Sequence, residues 1–204
     1  MKSRISILGA LTLRQHLNGF AIATILAGGV LLAVAWPAEA QVVYTPTNIT
    51  IGCNSSYNLD VNNDGVTDFT ITTEDVPSCF APLLQSGSVS ETAAPGNGAL
   101  IGPLSEGDEI GPDQAFSEGT VDLESFILKC GKRKGAPCHY EHSGPWDVHF
   151  KGKRYLGLSF QLNGETYYGW AQLTLLEGGV EGVKLSGYAY ESTPGMPINA
   201  GQTQ

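Results

Sequence analysis

Apolar and polar positions alternate most regularly in "KRYLGLSFQLNGETYYGWAQLTLLE", residues 153–177, where two runs of period two flank Asn163-Gly164. Period two marks strands with two unlike faces. An Asn-Gly pair between such runs predicts a two-residue hairpin turn, because both turn positions need positive φ. That turn fixes the register. Leu162 stands opposite Glu165, Phe160 opposite Tyr167, Leu158 opposite Gly169 and Leu156 opposite Ala171. This aliphatic face runs on into Leu173 and Leu175 and is the expected core face. The other face pairs Ser159 with Tyr168, Gly157 with Trp170 and Tyr155 with Gln172, so Tyr155, Tyr168 and Trp170 cluster and Gly157 leaves room for the indole. Two readings follow for that cluster: a second buried layer, or an exposed aromatic shelf that binds sugar rings.

The remaining runs are short. "VVYTPTNITIGC" and "FTITT" read as strands, and "VDLESFILKC" is ambiguous between strand and helix. "VKLSGYAY" reads as a last strand with Val183, Leu185 and Ala189 on one side and Tyr188 and Tyr190 on the other. The stretch from Ser86 to Gln114 reads mostly as loop. No segment has the period of an amphipathic helix, and 26 glycines and 11 prolines punctuate the apolar runs. The expected fold class is all-β: a two-sheet antiparallel β-sandwich, jelly-roll-like, with long loops.

The first forty residues are set apart from this domain. Lys2, Arg4 and Arg14 precede the apolar run "FAIATILAGGVLLAVAW", which ends in "PAEA" with small residues at Ala38 and Ala40. That is the pattern of a signal peptide over residues 1–40, cut before Gln41, with residues 41–204 as a single β-sandwich domain. The long positive leader also suits an uncleaved anchor. Export implies a secreted or cell-surface protein, or one held in the periplasm, with no membrane span after cleavage.

Composition narrows the partners. The chain has 11 Lys/Arg and 20 Asp/Glu, of which the leader holds three and one, leaving 8 against 19 and a net charge of −11. Nucleic acid is excluded as an expected partner, since polyphosphate binding needs the opposite field. Thirteen of the nineteen acids lie between Asp60 and Glu124, and seven of the eight basic residues between Lys129 and Arg154. This is either a solvated surface or a bipolar one, able to pack head to tail or to hold an anionic polymer.

All four cysteines lie beyond the leader, as an oxidising compartment favours. Of three possible pairings, Cys53 with Cys79 and Cys130 with Cys138 are expected, because "CGKRKGAPC" can bring its ends together. No C-x-x-C pair points to zinc.

The stretch "DVNNDGVTDF" carries the strongest chemical pattern. Counted from Asp60, side-chain oxygens fall at positions 1, 3, 5 and 9 from Asp60, Asn62, Asp64 and Asp68. Gly65 falls at position 6 and the carbonyl of Val66 at position 7. Hard oxygens at that spacing suit Ca2+, which is the expected cofactor. At position 12 Ile71 replaces the bidentate glutamate, so the loop resembles the strand-flanked D-x-[DN]-x-D-G-x-x-D loops of exported bacterial proteins, with Glu74 or Asp75 as candidates to complete the shell. The alternative is a metal-free polar turn. A second cluster, His139, Glu141, His142, Asp147 and His149, reads as loop and is a weaker candidate for a metal or hydrolytic site. Nucleophile motifs and phosphate-binding glycine loops are absent from the sequence.

The C-terminal half carries a resemblance. "GPW", "RYLGLSFQLNGETYYGWAQLTL" and "LSGYAYESTPGMPINAG", with "LIGPLSEGDEIGP" before them, resemble a family of uncharacterised exported bacterial β-sheet proteins. Its shared pattern is a "YLGLKF"-like strand, an Asn-Gly turn, "HYGWARL" and a closing "GYAYET-P---PI-AG". The resemblance implies export and a β fold and carries no reaction. Here "YYGWAQL" replaces "HYGWARL", and the C-terminal sorting tail of some members is missing.

Three functional readings follow. The leading one is a non-catalytic, calcium-stabilised extracellular sandwich with a cell-surface, adhesive or matrix role, whose partner is a polysaccharide or another surface component. The second is a secreted hydrolase using His139, His142 and His149. The third is a structural subunit that self-associates.

Overall fold

The computed structural model describes residues 41–52, 54–74, 86–133, 136–146, 153–176 and 181–204. In chain order the strands are β1 Val42–Ile51, β2 Ser55–Leu59, β3 Phe69–Glu74, β4 Ser86–Ala93, β5 Gly98–Ala99 and β6 Glu109–Ile110. They continue with β7 Thr120–Cys130, β8 Cys138–Ser143, β9 Arg154–Leu162, β10 Glu165–Leu175, β11 Val183–Glu191 and β12 Ile198–Asn199. No α-helix occurs among the described residues, and none of their segments is a helix long and apolar enough to cross a membrane.

One sheet has the order β1-β11-β10-β9-β5, the other β2-β3-β4-β7-β8, and β12 pairs β6 apart from both. Every ladder is antiparallel. The sheets share one apolar core, in which Leu156, Leu158, Phe160, Leu173 and Leu185 of the first meet Leu59, Phe69, Ile71, Val89 and Leu123 of the second. The protein is therefore an all-β antiparallel sandwich.

The β9–β10 ladder pairs Leu162 with Glu165, Phe160 with Tyr167, Gly157 with Trp170 and Tyr155 with Gln172. Its turn has φ 55 at Asn163 and φ 82 at Gly164, the left-handed pair that a right-twisted hairpin requires. Space over Gly157 is not taken by the indole, however. A Cβ there would meet Leu100 Cδ1 at 2.6 Å and Leu104 Cδ1 at 3.1 Å, so two leucines from upstream pack directly on this backbone.

Other segments differ from the sequence expectation. Residues 86–114 include β4, a central strand between β3 and β7, as well as β5 and β6. β4 lacks an apolar stripe because its buried positions are Val89, Glu91 and Ala93, with Ser90 and Thr92 between them. Val121–Cys130 is strand, within β7. In β11 the ladder slips between the pairs Gln172–Gly187 and Leu173–Leu185. The extra residue moves Tyr188 and Tyr190 to the core side with Val183 and Leu185, while Ala189 packs on the opposite face. One bulge thus exchanges the faces of everything beyond it.

Candidate metal centre

The loop between β2 and β3 is built by its own side chains. Asp60 accepts from Asp64 N at 3.1 Å through Oδ1 and from Gly65 N at 2.7 Å through Oδ2. Asn62 Oδ1 accepts from Asp64 N at 3.0 Å, and Asp64 Oδ1 from Val66 N at 2.8 Å. Asn62 Nδ2 donates to Asp64 Oδ2 at 3.0 Å. The chain turns through left-handed residues at Asn63 (φ 59) and Gly65 (φ 88), the conformations that asparagine and glycine tolerate best. Each carboxylate oxygen that accepts one N–H keeps a further lone pair, so this lacing leaves acceptor capacity for a cation.

Asp68 closes the loop from below. Buried, it accepts from Val61 N at 2.9 Å and from Asn97 Nδ2 at 3.4 Å. Burial pushes its carboxyl above the ordinary range, the Val61 N–H pulls it back, and the charges of Asp60 and Asp64 raise it again. Asn97 also donates to the Asp68 carbonyl and accepts from Gln161 N at 2.9 Å, which ties the loop to the β9–β10 hairpin. On the other side Tyr188 Oη donates to Asn63 Oδ1 at 3.4 Å. Sequence reasoning missed both supports, since Asn97 and Tyr188 lie far from the loop along the chain.

The donor set fits a hard cation only in part. Among the described residues no three His, Cys, Asp or Glu side chains converge on one point. The fit rests on carboxylates, the Asn62 amide and the Val66 carbonyl, with Val66 itself 64% exposed. Ile71, at position 12, lies wholly in the core opposite Tyr57 and Glu91 and supplies nothing. Glu74 is excluded from the shell as well. It lies at the far end of β3, about 20 Å along the strand from Asp68 at 3.3 Å per residue. Asp75 lies outside the described residues. A cation here would draw its remaining ligands from water.

The histidine cluster does not assemble among the described residues. Cys138–Ser143 is strand β8, not loop, so His139 and His142 point to opposite faces. His139 is 70% exposed with Glu141 at 3.9 Å, whereas His142 Nδ1 lies 3.2 Å from Oε1 of the buried Glu124 and beside the Phe126 ring. Asp147 and His149 lie outside the described residues.

The aromatic cluster is buried, which corrects the reading as an open shelf. Trp170 is 2% exposed, meets Tyr155 edge-on at 5.2 Å and donates from Nε1 to Gln202 O at 3.1 Å. Tyr168 stacks on Phe116 at 5.7 Å. Ile110 of β6, Ile198 of β12, Ala200, Leu104 and Phe116 complete this second layer. Tyr155 Oη accepts from Gln172 Nε2 at 3.0 Å, so the Trp170 indole and the Tyr155 hydroxyl are both paired.

Cys130 and Cys138 form a disulfide across the last pair of the β7–β8 ladder. The expected Cys53–Cys79 bridge lies outside the described residues. No protein-family model, curated protein or solved structure matches the chain.

Proposed function

We propose that residues 41–204 form an exported, non-catalytic β-sandwich stabilised by calcium, with a cell-surface, adhesive or matrix role. The observation that carries this reading is the Asp60–Asp68 loop, in which backbone N–H groups fix the Asp60, Asp64 and Asp68 carboxylates and the charges of Asp60 and Asp64 repel that of the buried Asp68, raising its proton affinity. A divalent cation relieves that repulsion. Export is supported by the leader pattern of residues 1–40 and by the Cys130–Cys138 disulfide, a bond typical of oxidising compartments. Because the aromatic cluster is buried, a polysaccharide partner would engage another surface.

The test is calorimetry with calcium, together with melting temperature with and without chelator. The site is expected to be weak, with Kd on the order of 0.1 to 1 mM, the range of extracellular modules. Asp64→Ala should remove both the heat of binding and the calcium-dependent rise in melting temperature. No heat at millimolar calcium and an unchanged melt in chelator would leave the loop as a polar turn.

A further inference from the structure

From Gln41 to Leu128 the chain contains no lysine or arginine, and its basic residues begin at the tip of the β7–β8 hairpin. Phe126 is the last buried residue of β7, and Ile127, Lys129 and Cys130 beyond it are exposed. β8 is an edge strand that pairs with β7 alone. The tip therefore stands at the margin of the sandwich, carrying Lys129, Lys132 and Arg133, all exposed. No ion pair among the described residues involves any of the three. The described residues on the two sides of the tip are tied to each other. The disulfide joins the directly opposed Cys130 and Cys138, Gly131 N donates to Pro137 O at 3.3 Å, and Ala136 N donates to Arg133 O at 2.9 Å. These ties lower the entropy lost when the described part of the prong docks.

The complementary surface lies on the other sheet. The segment 105–118, which covers the aromatic layer through β6, displays Glu106, Asp108, Glu109, Asp113 and Glu118 to solvent. It contains no lysine or arginine, and no ion pair joins any of these acids to a cation among the described residues. One molecule thus carries a cationic prong on the edge of one sheet and an acidic cap on the outer side of the other, neither paired with an opposite charge among the described residues.

We propose that the protein assembles head to tail, the β7–β8 prong of one copy docking on the 105–118 cap of the next. Such a contact joins two unlike surfaces, so it extends into a filament or closes into a ring, according to the rotation between copies. A second copy is the occupant because the chain itself supplies the matching acidic surface. Residues 41–204 carry a net charge of −11, so copies repel one another overall and attraction between prong and acid orients the encounter. The inference does not depend on calcium.

Sedimentation velocity of the purified protein in chelator tests it. The average mass should rise with concentration at low salt and return to the monomer near 1 M salt, where the Debye length is about 3 Å. Lys132→Glu with Arg133→Glu on the prong, or Glu106→Lys with Asp113→Lys on the cap, should each weaken association about tenfold or more. Mixing the two variants should restore it, because the intact prong of one then meets the intact cap of the other. These positions are exposed, so unchanged melting temperatures will show that the fold is kept. A monomer at every concentration and salt overturns the proposal. So does association that ignores both variants or fails to return on mixing. If the wild type stays monomeric while its prong binds dextran sulfate, the prong serves an anionic polymer and the proposal is likewise overturned.

Discussion

Glu91 of β4 and Val121 of β7 are direct cross-strand partners whose side chains both enter the sandwich core. Glu91 is 0% exposed, has Ile71 on its other flank, and neither of its carboxylate oxygens has a hydrogen-bond partner. Trp146, whose backbone N donates to Leu123 O on the neighbouring strand, also has an unpartnered indole N–H. An ionised carboxylate in such surroundings would be costly, so the side chain is a neutral acid.

This gives a pH prediction with a definite sign. Burial pushes Glu91 up to about 8 from its ordinary 4.5, so the folded state keeps a proton that the unfolded chain releases. Stability from this group is fully present below about pH 4.5 and is lost as pH rises towards about 8, by up to roughly 4 to 5 kcal/mol. Glu91→Met, of similar volume, should raise the melting temperature at pH 8 and flatten its fall between pH 5 and 8. Wild-type and variant curves that run parallel across this range would show that Glu91 is charged or solvated.

Gly157 yields a packing prediction. Because Leu100 and Leu104 lie on its backbone, Gly157→Leu should destabilise the protein by about 1 to 3 kcal/mol through overpacking. Trimming the neighbour in the double variant Gly157→Ala, Leu100→Ala should recover part of the loss seen in Gly157→Ala alone. Additive losses measured in urea would mean that the leucine does not occupy this space.

The hairpin was legible in the sequence because its information is local: Asn163-Gly164 sets the turn, and period two does the rest. What fills the space over Gly157 was not, since Leu100 and Leu104 come from more than fifty residues upstream. β4 was hidden for a different reason. Its core face is Val89, Glu91 and Ala93, and a glutamate in a core stripe reads as a solvent position. A bulge such as that after Leu185 leaves no mark in the residue pattern, so the two faces of β11 could not be assigned beyond it. The aspartate loop was again local, apart from its supports at Asn97 and Tyr188.

The Cys130–Cys138 bridge closes a short loop already held by the β7–β8 ladder. Its chain-entropy contribution at this loop size is about 2.6 kcal/mol. The paired substitution Cys130→Ser, Cys138→Ser should lower stability by about that much and leave the sandwich folded, as read by near-ultraviolet circular dichroism. Complete loss of the fold would mean that the hairpin end does more than cap the edge of its sheet.

Asn97 ties the aspartate loop to the first sheet, and removing it should separate the loop's preorganisation from its ligands. Its amide donates to Asp68 and accepts from Gln161 N, so Asn97→Ala leaves a buried carboxylate and a backbone N–H each short of a partner. The expected cost is about 1 to 3 kcal/mol of stability. Calcium affinity should fall too, although every proposed ligand oxygen remains, because Asp68 is then free to leave the position from which it completes the loop. Affinity should also weaken as pH drops through the raised titration range of Asp68, since a proton and the cation compete for the same carboxylate. Magnesium should substitute poorly in wild type and variant alike, as it requires a smaller octahedral shell and sheds water reluctantly. Calorimetry of Asn97→Ala with calcium decides between the two roles: unchanged affinity in a destabilised protein would make Asn97 a fold support alone, whereas a weaker site that keeps its preference for calcium is the expected outcome.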